Sequence, residues 1–262
     1  MSRIKLRNFG PIKGGMLNTD GWLDIKKVTV FIGNQGSGKS TIAKLISTLT
    51  WIEKVLTRGD FNENIFTSNK FKNTYCGFHR LNKYFVKNET EIQYEGDSYS
   101  FTYNREGNFI INKKEYALNI YPLPQIMYVP AERNLLSIVD NPELFKDLPD
   151  NLVTFTSEYN KAKKKINGSL KLPINDTYLE YNKHNGIVSI KGHDYKIKLL
   201  EASSGFQAFV PLYLVTWFLS ESVKEQANKS NKMSSDETKR FEDEVKSIWS
   251  NKSLSDEQRR IA

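Results

Sequence analysis

The sequence predicts an α/β fold: a parallel core sheet, an adjoining antiparallel β portion, and a helical lobe. Three observations lead there. Val28-Thr-Val-Phe-Ile32 is a continuous apolar run stopped by Gly33, the pattern of a parallel strand covered on both faces. Residues 40–52, directly after a glycine-rich stretch, carry Ile42, Leu45, Ile46, Leu49 and Ile52 at helical spacing. Three short alternating runs, residues 91–94, 98–103 and 109–112, are separated by Gly96-Asp97 and Glu106-Gly107, as in an antiparallel meander.

The remaining elements follow from the same periodicities. Residues 4–8 alternate apolar and basic side chains, which is a strand with one buried face. Residues 9–15 make a tight turn, and residues 22–25 are a second strand. Residues 58–88 mix polar and aromatic side chains without a dominant period and give no firm assignment beyond short helices. Residues 125–129 read as another buried core strand, stopped by Pro130. Residues 134–171 read as mainly helical, and residues 178–181 and 187–191, joined around Asn185-Gly186, as a hairpin. An apolar helix spans residues 206–222. Beyond it the chain turns polar, with capping boxes at Ser234-Ser-Asp-Glu237 and Ser255-Asp-Glu-Gln258. The expected organisation is a core over residues 1–132, a helical insertion, hairpin and second helix over 133–222, and a polar helical tail over 223–262.

Composition narrows the class. The 262 residues are 39% hydrophobic and 26% charged, as in ordinary globular proteins, with a formal net charge of +8. That charge admits a nucleic-acid partner without requiring one. A single cysteine, Cys76, excludes an internal disulfide and suits a reducing cytoplasm. Three scattered histidines offer no metal-ligand spacing. The N-terminus lacks the apolar core of a signal peptide, and the longest apolar run, residues 206–219, is too short to span a bilayer.

The chemistry concentrates in Gly33-Asn34-Gln35-Gly36-Ser37-Gly38-Lys39-Ser40, which fits G-x-x-x-x-G-K-[ST] at every fixed position. Glycines at 33, 36 and 38 open backbone conformations closed to residues with a Cβ, so successive N–H groups can point at phosphate oxygens. The helix opening at Lys39 adds its positive end. In this motif Lys39 reaches the β- and γ-phosphates of a nucleotide, Ser40 ligates Mg²⁺, and Thr41 lies beside the α-phosphate. No N-K-x-D element for reading guanine is present, so ATP is the expected nucleotide.

Two further segments carry a resemblance. Glu201-Ala-Ser-Ser-Gly-Phe-Gln207, with the opening strand, the turn Phe9-Gly-Pro-Ile12 and residues 28–41, resembles the ABC-type P-loop ATPase heads of the SMC/RecF/OLD branch. Those heads carry an L-S-S-G-E-Q-like signature, onto which residues 202–207 fall. Ala202 and Phe206 depart from it. The resemblance implies that Ser203 and Gly205 cap a helix whose N-terminus touches the γ-phosphate held by a second head. Taken alone, Ser-Ser-Gly reads as a plain helix N-cap; the order of loop, meander, insertion and signature favours the other reading. Tyr128-Val-Pro-Ala-Glu-Arg133 looks like the Y-x-P-A-E-R segment of OLD-like and PtuA-like AAA-family defence ATPases. There Glu132 or Arg133 would contact metal-bound water or phosphate, or else form a structural ion pair.

Residues 126–132 are not a Walker B strand, because Pro130 interrupts them and the family places that element after the signature. No apolar strand ending in Asp-Glu follows Gln207, so the expectation is the N-terminal part of a longer ATPase, with slow hydrolysis alone. The implied function is an ATP-gated head that self-associates, in antiviral or DNA-related work, with nucleic acid and an effector nuclease as further partners and no membrane. A small-molecule kinase and a non-hydrolysing regulatory module are the alternatives. The densest positive stretch, Lys161-Ala-Lys-Lys-Lys165, is either a solvated helix face or a nucleic-acid contact.

Overall fold

Alternating apolar and basic residues put Ile4 and Leu6 on one side of strand β1 (Ser2–Arg7), and both are buried in the computed structural model, which describes residues 2–14, 20–114, 124–139 and 147–228. β1 lies between β2 (Trp22–Ile25) and β3 (Glu91–Glu95), and β4 (Tyr99–Tyr103) and β5 (Phe109–Lys113) complete a five-stranded sheet in the order β2-β1-β3-β4-β5. Every pairing in it is antiparallel. The expected meander is therefore present, with turns at the predicted glycines.

One face of this sheet is covered by helix α1 (Lys39–Thr57), whose buried side includes Leu45, Leu49, Ile52, Val55 and Leu56. Burying each such side chain contributes roughly 1.5–3 kcal/mol before the entropy of ordering is counted. Residues 63–84 are a string of single turns, one of them π-helical (Phe71–Tyr75). Aromatic packing holds them rather than any period. Phe71 stacks on Phe109 of β5 with ring centroids 3.9 Å apart, and Phe85 meets Phe9 edge-on at 5.0 Å.

Helix α2 (Asp150–Lys165) buries Leu152, Phe155, Tyr159 and Ala162. A second antiparallel sheet follows it: β6 (Ser169–Lys171), β7 (Tyr178–Tyr181), β8 (Val188–Lys191) and β9 (Lys196–Lys198), in sequence order. Leu179 faces Ile190 across the β7–β8 hairpin, and both are fully buried. β6 lies in the stretch expected to be helical, and β9 had no expectation; both are three-residue edge strands, too short for an alternating pattern to register. Helix α3 (Ser204–Asn228) contains Pro211 and is longer than its apolar run suggested. Residues 1–218 form one compact unit and 219–262 a second, of which the end of α3 is the described part. The capping boxes at 234–237 and 255–258 lie outside the described residues.

The parallel core sheet is corrected. Among the described residues every strand pair is antiparallel, and neither residues 28–32 nor residues 125–129 form a strand. Val28, Val30 and Ile32 are 77%, 76% and 90% exposed, the reverse of a strand covered on both faces. An apolar run marks a segment fit to be sandwiched, but it does not supply neighbours. Within β3-β4-β5 and the second sheet the strands find theirs through short connections, whereas a parallel strand always depends on distant segments.

Candidate functional site

The glycine loop occupies the connection between residues 28–32 and α1. Asn34, Gln35, Gly36, Ser37 and Ser40 are exposed, and Thr41 is buried in the first turn of α1. Gly36 and Gly38 have φ of 79° and 94°, the left-handed region that penalises a Cβ. Gly38 is also the residue that caps α1, and a Cβ there would stand 2.8 Å from Ile12 Cγ1. The turn after β1 thus braces the start of the helix. That turn is itself fixed: Phe9 N donates to Ile12 O at 2.9 Å, and Gly10 N to Tyr84 O at 3.0 Å.

The loop is closed by its own lysine. Lys39 Nζ donates to Gly33 O at 2.7 Å and Asn34 O at 2.6 Å, and lies 3.4 Å from Ser37 Oγ. Ser37 N donates to Asn34 O at 3.3 Å. The first turn of α1 holds no acidic side chain, and no side chain caps it. The positive end of a 19-residue helix is therefore left to solvent beside an ammonium, an arrangement that receives anions. Ser40, which the motif assigns to a cation, is exposed in the first turn of α1. Among the described residues no group of three His, Cys, Asp or Glu side chains stands ready to cage a metal. A cation here would take its other ligands from phosphate oxygens and water, which is how Mg²⁺ commonly binds with nucleotides.

Ser203 and Gly205 lie exposed at the start of α3. Ser203 O accepts the first helical bond, from Gln207 N at 3.0 Å. The Gln207 side chain folds back, its Nε2 donating to Leu200 O at 2.9 Å and Ala202 O at 3.0 Å, so the whole signature turn is tied down. The hydrogen bonds of Lys39 are internal to the loop, and none of them reaches Ser203.

Glu132 is exposed in the 3₁₀ turn Ala131–Asn134. Among the described residues Arg133 forms no ion pair. Its Nε donates to Ala208 O at 3.0 Å and its Nη1 to Pro130 O at 3.3 Å, while Ser137 Oγ donates to Gln207 O at 2.7 Å. The segment also reaches α1, where Lys44 Nζ sits 5.7 Å over the Tyr128 ring. It therefore ties the first turn of α3 to the helix that starts at the loop. Sequence reasoning missed Lys44 and Ser137, since neither belongs to a spacing pattern. A cavity of about 470 Å³ flanks the same side of α1, lined in part by Trp51, His79, Met127 and Tyr128. Comparison with protein-family models, with curated proteins and with solved structures finds no match.

Proposed function

We propose that the chain binds ATP with Mg²⁺ at Gly33–Thr41 and works as an ATP-gated head. In this reading nucleotide joins two heads, held by the loop of one and by Ser203 and Gly205 of the other. The observation that carries the reading is the Lys39 ammonium drawn across an exposed glycine loop at the start of α1. Its present acceptors are neutral carbonyls. A triphosphate would offer charged ones, which form hydrogen bonds roughly twice as strong. Ser40 supplies one ligand to Mg²⁺, which in phosphoryl transfer neutralises charge developing between the β- and γ-phosphates. Glu132, exposed and next to Arg133, which bonds Ala208 O just past the signature, is the acid assigned to ordering water. The resemblance to SMC-like and OLD-like heads supports ATP hydrolysis, work on nucleic acid or in phage defence, an effector nuclease as a partner, and a cytoplasmic setting. Among the described residues no helix is long and apolar enough to cross a membrane.

The test is calorimetric titration of the chain with Mg-ATP. Lys39→Ala should weaken binding by about 1.5–3 kcal/mol, roughly ten- to a hundredfold, while the thermal midpoint stays put. Equal affinities in wild type and variant would overturn the site.

A further inference from the structure

A second concave surface lies away from the glycine loop. Between α2 and β7 is a cavity of about 620 Å³. Ser157, Asn160, Lys161 and Lys164 line it from α2, spaced so that they form one stripe beside the buried stripe of Leu152, Phe155, Tyr159 and Ala162. Tyr181, the last residue of β7, forms the facing wall. Lys163 Nζ lies 4.9 Å over the Tyr159 ring and 5.7 Å over the Tyr181 ring, so it carries charge directly to the aromatic wall.

Two described acids, Glu158 and Glu180, lie beside this cluster. Glu158 pairs with Lys161 at 2.6 Å. Glu180, next to Tyr181, is taken by Lys196 of β9 at 2.6 Å and Lys191 of β8 at 3.8 Å. The lysines in the last turn of α2 also sit where a helix end favours cations, so the fold tolerates their density. That position accounts for the lysines, but not for the cleft or for the tyrosine and amide that share it.

We infer that the cleft between α2 and β7 binds single-stranded nucleic acid, with Lys161 and Lys164 on backbone phosphates and Tyr181 against a base. Three features select this ligand. Ammonium groups spaced along a groove suit a run of phosphates better than a single compact anion. An aromatic wall offers a stacking face that unpaired bases can use and paired bases hide. The cleft has room for a nucleotide and its neighbour, whereas a duplex would meet only the rim. Ser157 and Asn160 add donors and acceptors for sugar or base edges. The inference rests on the proposed work with nucleic acid and deepens it, but it does not depend on ATP binding.

The experiment is an anisotropy titration of the 262-residue chain against labelled oligothymidine, oligouridine and a matched duplex across a salt series. The wild type should bind the single strands more tightly than the duplex. In Lys161→Gln/Lys164→Gln the slope of log affinity against log salt should be shallower by about 1.4, since each lost phosphate contact removes about 0.7. Tyr181→Leu should weaken binding roughly tenfold at every salt concentration without changing the slope. Both lysines are exposed, so the double variant should keep the wild-type thermal midpoint. The proposal is overturned if the wild type binds no single strand at low salt, if the duplex binds as tightly, or if the double variant keeps the wild-type slope. Lys39→Ala separates the two sites: it should retain the oligonucleotide slope, and the double variant should retain ATP affinity.

Discussion

Glu53 lies directly beneath Gly96, and a Cβ at residue 96 would overlap both of its carboxylate oxygens. Glu53 belongs to α1, the helix that Lys39 opens, and Gly96 to the turn between β3 and β4. The buried carboxylate accepts from Tyr94 Oη at 2.9 Å, Ser98 N at 2.7 Å and Tyr99 N at 3.2 Å. Burial pushes its pKa up, and these hydrogen bonds oppose the rise. The antiparallel sheet is thereby fastened to the loop's helix by polar contacts as well as by the apolar stripe.

Gly96→Ala should therefore destabilise the unit by roughly 1–3 kcal/mol, because the added methyl must displace a carboxylate that three donors hold. Urea unfolding of the variant should show a lower midpoint with an unchanged slope. A midpoint equal to the wild type would mean that the turn relaxes freely and that Glu53 does not hold it.

A second buried ionisable group sets the acid limit of stability. His79 is 3% exposed, its Nδ1 has no hydrogen-bond partner, and its ring meets Tyr128 edge-on at 5.0 Å. Burial, aided by the Lys44 charge, lowers its pKa from 6.5 to about 4. The unfolded chain then takes up a proton between pH 6.5 and pH 4 that the folded chain refuses. Stability from this group is complete above pH 6.5 and falls as the pH drops towards 4, by up to about 3 kcal/mol. His79→Leu should flatten the loss between pH 7 and pH 5 relative to wild type in paired urea titrations. Parallel pH profiles for the two proteins would remove His79 as the cause.

How much was legible depended on how local each signal was. β3, β4 and β5 were readable because short turns join them and one buried face imposes a period of two, as Ile92, Tyr94, Phe101 and Tyr103 show, and β1 was readable from the same period although it pairs with the distant β3. α1 was readable from its apolar stripe, and the glycine loop from a motif whose residues are fixed by backbone geometry. The parallel sheet was not. Val28, Val30 and Ile32 look like a sandwiched strand in sequence, yet that pattern contains no information about what would lie beside it. Residues 63–84 escaped because Phe71 is placed by ring contacts with Phe85 and Phe109, which no local period encodes. Arg133 has partners that the sequence did not suggest. Its type suggested a phosphate or a carboxylate, whereas its guanidinium is occupied by two backbone carbonyls.

That geometry makes a prediction about the signature turn. A guanidinium presents donors in a fixed fork, so one side chain holds both Ala208 O and Pro130 O and keeps the first turn of α3 against the 130–134 segment. Arg133→Ala removes both bonds, which together are worth about 1–3 kcal/mol in a partly buried setting. Amide protection at residues 207–210 in native-state hydrogen exchange should then fall by roughly five- to a hundredfold, while the β3–β4 hairpin keeps its protection. Arg133→Lys should rescue little, because a single ammonium on a flexible stem does not span the two carbonyls. ATP affinity should be unchanged in both variants, since Arg133 bonds neither the glycine loop nor Lys39. If protection at 207–210 survives in Arg133→Ala, Ser137 and Gln207 hold the turn without it, and the arginine becomes available for the phosphate contact that the sequence suggested.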